Sequence, residues 1–217
     1  MKEAKILRKH KFKQAFYMTN KILIIFAHPL FEKSNANDAL VKNIPVSDNI
    51  TFHDLYQEYP EFDVDVKREQ ELLTQHDIII WHHPMYWYSC PPLLKQWIDL
   101  VLEHGWAYGR EGFALKGKLL LQSITTGGKK ENYCPTGKDG FTILQLMEPF
   151  CQTAKVCNMK YLPPFVVYGT HSMDADGLTK YGTMYGQMLQ HLEQKDLDLA
   201  ELSNFSYFND YIQTKIT

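Results

Sequence analysis

The segment "DIIIWHHPMYWYSCPPLLKQWIDLVL", Asp77 to Leu102, decides the architecture. Its apolar run Ile78–Ile80 reads as the centre of a strand, predicted over Asp77–His82 and buried on both faces. From about Pro92 to Leu102 the pattern changes. Leu93, Leu94, Trp97, Ile98 and Val101 fall at helical spacing. Between strand and helix lie three prolines (Pro84, Pro91, Pro92), three consecutive aromatics (Tyr86, Trp87, Tyr88) and a thiol. A strand that leads through a stiff loop into an amphipathic helix is one unit of a repeating strand–helix chain.

The unit recurs in both directions. Lys21–Ala27 is a continuous apolar run, followed by "SNANDALVKNI" with Ser34 as the expected N-cap. Ile50–Leu55 reads as a second strand and Asp65–His76 as a helix with a charged face. Lys118–Thr125 is the fourth strand and Phe141–Ala154 a helix. Tyr161–Gly169 is the fifth strand, begun through two prolines. Asp174–Gln194 is the last helix, weakened by Gly182 and Gly186. Five strands alternating with helices predict an open, mostly parallel sheet covered on both faces. The expected domain spans residues 21–194, and 195–217 is a polar tail with interspersed aromatics that wraps the surface.

Composition narrows the function. The chain has 217 residues, 45% hydrophobic and 22% charged, with a net charge of −2. That is ordinary for one globular domain and carries no nucleic-acid footprint. No apolar run approaches the roughly 18 residues of a membrane helix. Residues 1–20 are basic but lack the apolar core of a signal peptide. They read either as an extended start or basic arm, or as an amphipathic segment that meets an acidic partner or lipid surface. The four cysteines, Cys90, Cys134, Cys151 and Cys157, form no C-x-x-C pair and no zinc-spaced cluster. They read as reduced thiols of a cytosolic protein, and no metal site is expected.

In such sheets ligands bind beyond the carboxyl ends of the strands. After the first strand come His28, Ser34, Asn35, Ala36 and Asn37, leading into a helix. There is no glycine-rich dinucleotide fingerprint, but hydroxyl and amide donors and His28, read as a charged donor, suit a phosphate. After the third strand Pro84, Met85, Tyr86, Trp87 and Tyr88 form a rigid aromatic wall that suits a planar ring. After the fourth, Thr125, Thr126, Gly127 and Gly128 let the backbone approach a ligand closely. Phosphate donors, aromatic wall and backbone donors on one edge fit a flavin mononucleotide, with Gly127 and Gly128 stabilising charge on the reduced ring. Without a fingerprint of its own, NAD(P)H would visit the open face transiently and leave before the acceptor binds.

These stretches, with "LYQEYPEFDVDVKREQELL", "LLLQSITTGG" and "YLPPFVVYGTH", resemble the flavodoxin-like NAD(P)H quinone oxidoreductases over about Lys21 to Leu192. The likeness is to the bacterial branch that holds the ancillary subunits of the Kef glutathione-gated potassium efflux systems and related general stress proteins. The resemblance implies a flavodoxin-like three-layer α/β/α fold with a five-stranded parallel sheet, order 2-1-3-4-5. It implies a homodimer, FMN or FAD as cofactor, and two-electron ping-pong reduction of a quinone or other small acceptor. It places Tyr133 as an aid to hydride transfer, and Trp106 and Tyr108 near the substrate face, across the dimer. The family's histidine a few residues after that tyrosine is replaced here by Lys138 and Asp139 in "YCPTGKDGF".

Two functions therefore stand. One is an FMN-dependent NAD(P)H:quinone oxidoreductase of the cytoplasm. The other is a regulatory subunit of a Kef-type antiporter, peripheral on the inner face of the membrane, with secondary or no enzymatic activity. A flavodoxin-like electron carrier is disfavoured by the chain's length, its mild acidity and its open substrate loop.

Overall fold

The apolar runs form one parallel sheet. β1 (Ile22–Phe26) is flanked by β2 (Ile50–Asp54) and β3 (Ile78–Pro84), and β3 is followed by β4 (Leu119–Thr125). The structure, a computed structural model, describes residues 19–194 and 197–216. The basic N-terminal arm lies outside them, except for Thr19 and Asn20.

The fifth strand is split. β5 (Lys160–Tyr161) and β6 (Phe165–Val167) both pair with β4, giving the order β2-β1-β3-β4-β5 with β6 continuing the same edge. Pro163 and Pro164 have no N–H to give the ladder, so pairing stops between the halves. β3 runs two residues further than the pattern suggested, because His83 and Pro84 pair with Ile124 and Thr125.

Helices cover both faces: α1 (Asn35–Val41), α2 (Leu55–Glu58), α3 (Val66–Gln75), α4 (Pro92–Val101), α5 (Ile143–Val156), α6 (Ala175–Glu193), α7 (Leu199–Leu202) and α8 (Phe208–Ile216). Alternate strand residues feed two cores. Leu23, Ile25, Ile79, Trp81, Leu120 and Ile124 meet side chains of α3, α4 and α5. Ile22, Ile24, Ile78, Ile80 and Leu121 meet those of α1, α6 and α8.

The second core explains two features of the sequence. In α6, a Cβ on Gly186 would lie 2.7 Å from the Asn43 carbonyl oxygen, and one on Gly182 would lie 2.7 Å from that of Ala39. The glycines that weaken the helix locally let it press on α1. A Gly186→Ala variant is expected to lose about 1–3 kcal/mol despite the better helix propensity of alanine. A melting temperature at or above that of the parent would contradict this packing.

The second feature is the tail, which goes further than wrapping the surface. Phe208, Tyr211 and Ile212 of α8 lie at i, i+3, i+4 spacing and are buried in the second core. Asn209 spans the outer edge of β6. Its Oδ1 accepts from the Val166 N–H at 2.8 Å and its Nδ2 donates to the Val166 carbonyl at 3.1 Å.

The first core contains a fully buried carboxylate, Glu69 on α3. Its Oε1 accepts from His53 Nε2 (2.8 Å) and the Tyr59 hydroxyl (2.5 Å), and its Oε2 from Trp97 Nε1 (2.7 Å). One side chain thereby ties β2, α3, α4 and the turn after α2 together.

Candidate active site

The chain reverses direction across the sheet between β1 and β3, and the loops beyond their carboxyl ends part there. A cleft of about 420 Å³ opens at that point, within the range of small-molecule sites. Four loops line it.

The loop after β1 supplies His28, Leu30, Lys33 and Ser34–Asn37. Ser34 caps α1, its Oγ accepting from the Asn37 N–H at 3.3 Å. First-turn N–H groups have no intrahelical acceptor, and those of Asn35 and Ala36 lie in this segment. His28 Nδ1 accepts from the Leu30 N–H at 3.1 Å, which leaves Nε2 to carry the proton. Burial holds its pKa below the ordinary histidine value, with Glu32 opposing. His28 therefore offers a neutral N–H near pH 7 and not the charge expected of it; the nearby charge is on Lys33. Asn37 is 1% exposed, and both its amide hydrogens are engaged, on Ser34 Oγ (2.8 Å) and Thr125 Oγ1 (3.0 Å).

The loop after β3 supplies Pro84, Met85 and Tyr86. Beyond them the backbone does something costly. Tyr86 and Ser89 exchange backbone hydrogen bonds of 3.3 and 3.0 Å around Trp87 and Tyr88. Trp87 (φ 49°) and Tyr88 (φ 61°) are both in the left-handed region. A tight turn of this kind ordinarily takes Asn-Gly, and each bulky residue there stores about 1–2 kcal/mol. The strain keeps the aromatics out of the core: Trp87 is 93% exposed and Tyr88 48%. Neither lines the cleft; they form its outer rim, with the Tyr88 hydroxyl on Asp139 Oδ1 at 3.1 Å. Pro92 then starts α4 at the first helical position.

Thr125 and Gly127 come from the loop after β4, Thr170 and His171 from the loop after β6. Backbone bonds lace these loops together: Met85 N to Thr125 O (2.8 Å), Thr126 N to Val167 O (2.8 Å) and Gly169 N to Gly128 O (2.8 Å). A Cβ on Gly127 would lie 2.2 Å from the His171 ring, and one on Gly128 would lie 2.7 Å from the Tyr133 hydroxyl. Tyr133 is held there by a 2.6 Å hydrogen bond with Thr126 Oγ1.

Of the residues singled out in the sequence, His28, Ser34–Asn37, Pro84–Tyr86, Thr125 and Gly127 meet in the cleft, whereas Thr126, Gly128 and Tyr133 do not line it. Sequence reasoning missed Leu30 and Lys33 in a loop it had singled out, and Thr170 and His171, although "GTH" directly follows a strand and the same rule applies to it. Trp106 and Tyr108 do not line the cleft. Both pack beside the first core, and Tyr108 borders a separate groove between α4 and α5.

Among the described residues no acidic side chain lines the cleft, whereas Lys33, the hydroxyl of Ser34 and the ring N–H groups of His28 and His171 do. This donor set fits an anionic phosphate. Tyr86 on one side and the bare backbone of Gly127 on the other fit a planar ring. Among the described residues, no cluster of three metal-ligating side chains occurs and no helix is long and apolar enough to cross a membrane. All four cysteines are free.

This is the geometry of a doubly wound α/β fold. A family model described as flavodoxin-like fold matches residues 20–189, and the chain belongs to that family. The glutathione-regulated potassium-efflux system ancillary protein KefF of Salmonella schwarzengrund is 45% identical over 168 residues, covering 77% of this chain and 94% of its own length. The solved structure of general stress protein 14 from Treponema denticola, in complex with FMN, is 38% identical with a TM-score of 0.75, over 79% of this chain and 99% of that one. An NADPH-quinone reductase from P. pentosaceus is 36% identical, TM-score 0.71, over 77% and 96%. A chain described as a thermophilic tryptophan halogenase is 40% identical, TM-score 0.73, over 75% and 95%. Fold likeness does not by itself choose a substrate.

Proposed function

We propose that this protein is an FMN-dependent NAD(P)H:quinone oxidoreductase that moves two electrons as a hydride in a ping-pong cycle. The observation that carries the reading is the acid-free cleft at the β1/β3 switch, with phosphate donors at one end and a strained aromatic turn at its rim. The FMN complex of general stress protein 14 and the NADPH-quinone reductase support it. FAD is the alternative cofactor.

In this reading Lys33, Ser34, Asn35 and Ala36, with His28, hold the phosphate. Pro84–Tyr86, Thr125 and Gly127 would meet the ring, with Trp87 and Tyr88 beyond them, and Thr126, Gly128 and Tyr133 would support it, Tyr133 on the hydroxyl of Thr126. Flavin held there would supply two-electron hydride chemistry between the nicotinamide and the acceptor. The chain contributes N–H groups fixed before the reaction begins, an open rim where donor and acceptor take turns, and walls that limit water. Trp106 and Tyr108 enter through a homodimer, in which a second copy brings its pair to the rim.

The testing experiment is an anaerobic absorption spectrum of protein loaded with FMN, then treated with NAD(P)H and a quinone in turn. Bleaching by the nucleotide and recovery with the quinone is expected. Bound flavin that does not bleach would defeat the enzyme reading. It would favour the second one, a regulatory subunit on a Kef-type antiporter, which the KefF likeness supports. Co-purification with such an antiporter tests that reading directly.

A further inference from the structure

From the floor of the cleft a chain of polar groups runs back into the protein interior. Its inner end is on α6, where the hydroxyl of the fully buried Tyr185 meets His82 Nδ1 at 3.0 Å. His82 Nε2 meets Asn37 Oδ1 at 3.1 Å. Asn37 Nδ2 then divides, to Ser34 Oγ at 2.8 Å and to Thr125 Oγ1 at 3.0 Å. Thr125 Oγ1 also lies 3.4 Å from Asn37 Oδ1. With Oδ1 of Asn37 as acceptor, His82 carries its hydrogen on Nε2, and its bare Nδ1 accepts from Tyr185. That is neutral histidine. Burial, followed by the nearby His83 and His28, pushes the His82 pKa down to about 3, so the form does not change at ordinary pH.

The two ends of this chain matter. Ser34 opens the turn that faces the phosphate end of the cleft, and Thr125 ends the strand whose loop forms its floor. Both hydrogens of one amide bind both walls, and its oxygen is held by His82 at 3.1 Å and by a longer, 3.4 Å contact from the Thr125 hydroxyl. If His82 lets go, only the long contact holds that oxygen, and Ser34 loses its register with Thr125.

We propose that His82 is a positioning residue for flavin phosphate recognition: through Asn37 it holds Ser34 at a fixed distance from Thr125. The proposal rests on the flavin reading above. It predicts selectivity as well as affinity, because the turn it holds faces the phosphate and not the ring. Removing the anchor lowers affinity for FMN more than for riboflavin, which has the same ring and no phosphate. A residue that served only the core would weaken both ligands in step with the melting temperature.

The experiment compares FMN and riboflavin binding to apoprotein by fluorescence titration, in the parent and in His82→Leu, His82→Gln and Tyr185→Phe. Melting temperatures are measured on the same samples. His82→Leu keeps bulk and removes both hydrogen bonds; FMN affinity should fall about tenfold with riboflavin little changed. His82→Gln retains an N–H for Asn37 and should stay within about threefold of the parent. Tyr185→Phe, which leaves the His82–Asn37 bond intact, should lie between them. Should the leucine variant not fold, His82→Asn carries the same test, since its shorter side chain cannot span both partners. An FMN-to-riboflavin ratio equal to that of the parent in every variant overturns the relay alone. So does a parallel loss of both ligands that tracks stability. A parent that binds neither flavin overturns the flavin reading, and the relay with it.

Discussion

Glu69→Ala unfolds at a markedly lower urea concentration than the parent, with about 3–5 kcal/mol of stability lost. The side chain is completely buried and receives three hydrogen bonds, from His53, Tyr59 and Trp97. Alanine leaves all three donors unpartnered and a void between β2, α3 and α4. A loss below about 1 kcal/mol would mean that water or a rearranged His53 replaces the carboxylate. The same site predicts a pH dependence. Burial alone would raise the Glu69 pKa, but the three hydrogen bonds outweigh it, and the folded value lies below the unfolded 4.5. A depressed carboxyl pKa adds stability that is present above the unfolded value and is lost as pH falls through the folded one. The parent should therefore lose stability more steeply below about pH 4.5 than Glu69→Gln, which has no proton to take up there. Identical acid slopes would remove Glu69 from the account.

Gly128→Val should weaken FMN binding roughly 10- to 100-fold, the effect of forcing extra carbons into a packed site. Gly128 does not have a left-handed backbone, so the reason for glycine is space. A Cβ would lie 2.7–3.0 Å from the hydroxyl and ring of Tyr133, which the bond to Thr126 holds in place. Valine displaces that ring and tilts the loop that forms the floor. The purified variant should be colourless and should regain flavin only at high FMN. Circular dichroism must match the parent for the result to count. Tyr133→Phe is the companion: it keeps the ring and loses the hydroxyl, so flavin should stay bound while reduction slows. A valine variant that purifies yellow and active would leave the glycine loop without a role.

The sheet was legible because its strands are buried on both faces. Runs such as Ile22–Phe26 and Ile78–Ile80 leave no other reading, and the carboxyl-edge rule then located three of the four loops of the cleft. Less visible was anything decided by partners distant in the chain. Asn37 looks like a ligand donor in its own loop, and its bonds to Thr125 and His82 come into view only with the fold. His28 looks like a cation in the sequence, and only the fold brings the burial that lowers its pKa and the Leu30 N–H on its Nδ1. Trp87 and Tyr88 gave no hint of a left-handed turn, because aromatics are the residues least suited to one. Phe208, Tyr211 and Ile212 carry a helical stripe, but it is too short to stand out in a polar tail.

Asn209 also has a bearing on how these molecules treat one another. An edge strand with open N–H and C=O groups invites the edge of a neighbour. β6 is such a strand, and a single amide side chain occupies both groups of Val166 from the outside. The guard is only as secure as the docking of α8 through Phe208, Tyr211 and Ile212. A change that loosens this helix would bare a short adhesive border to neighbouring copies.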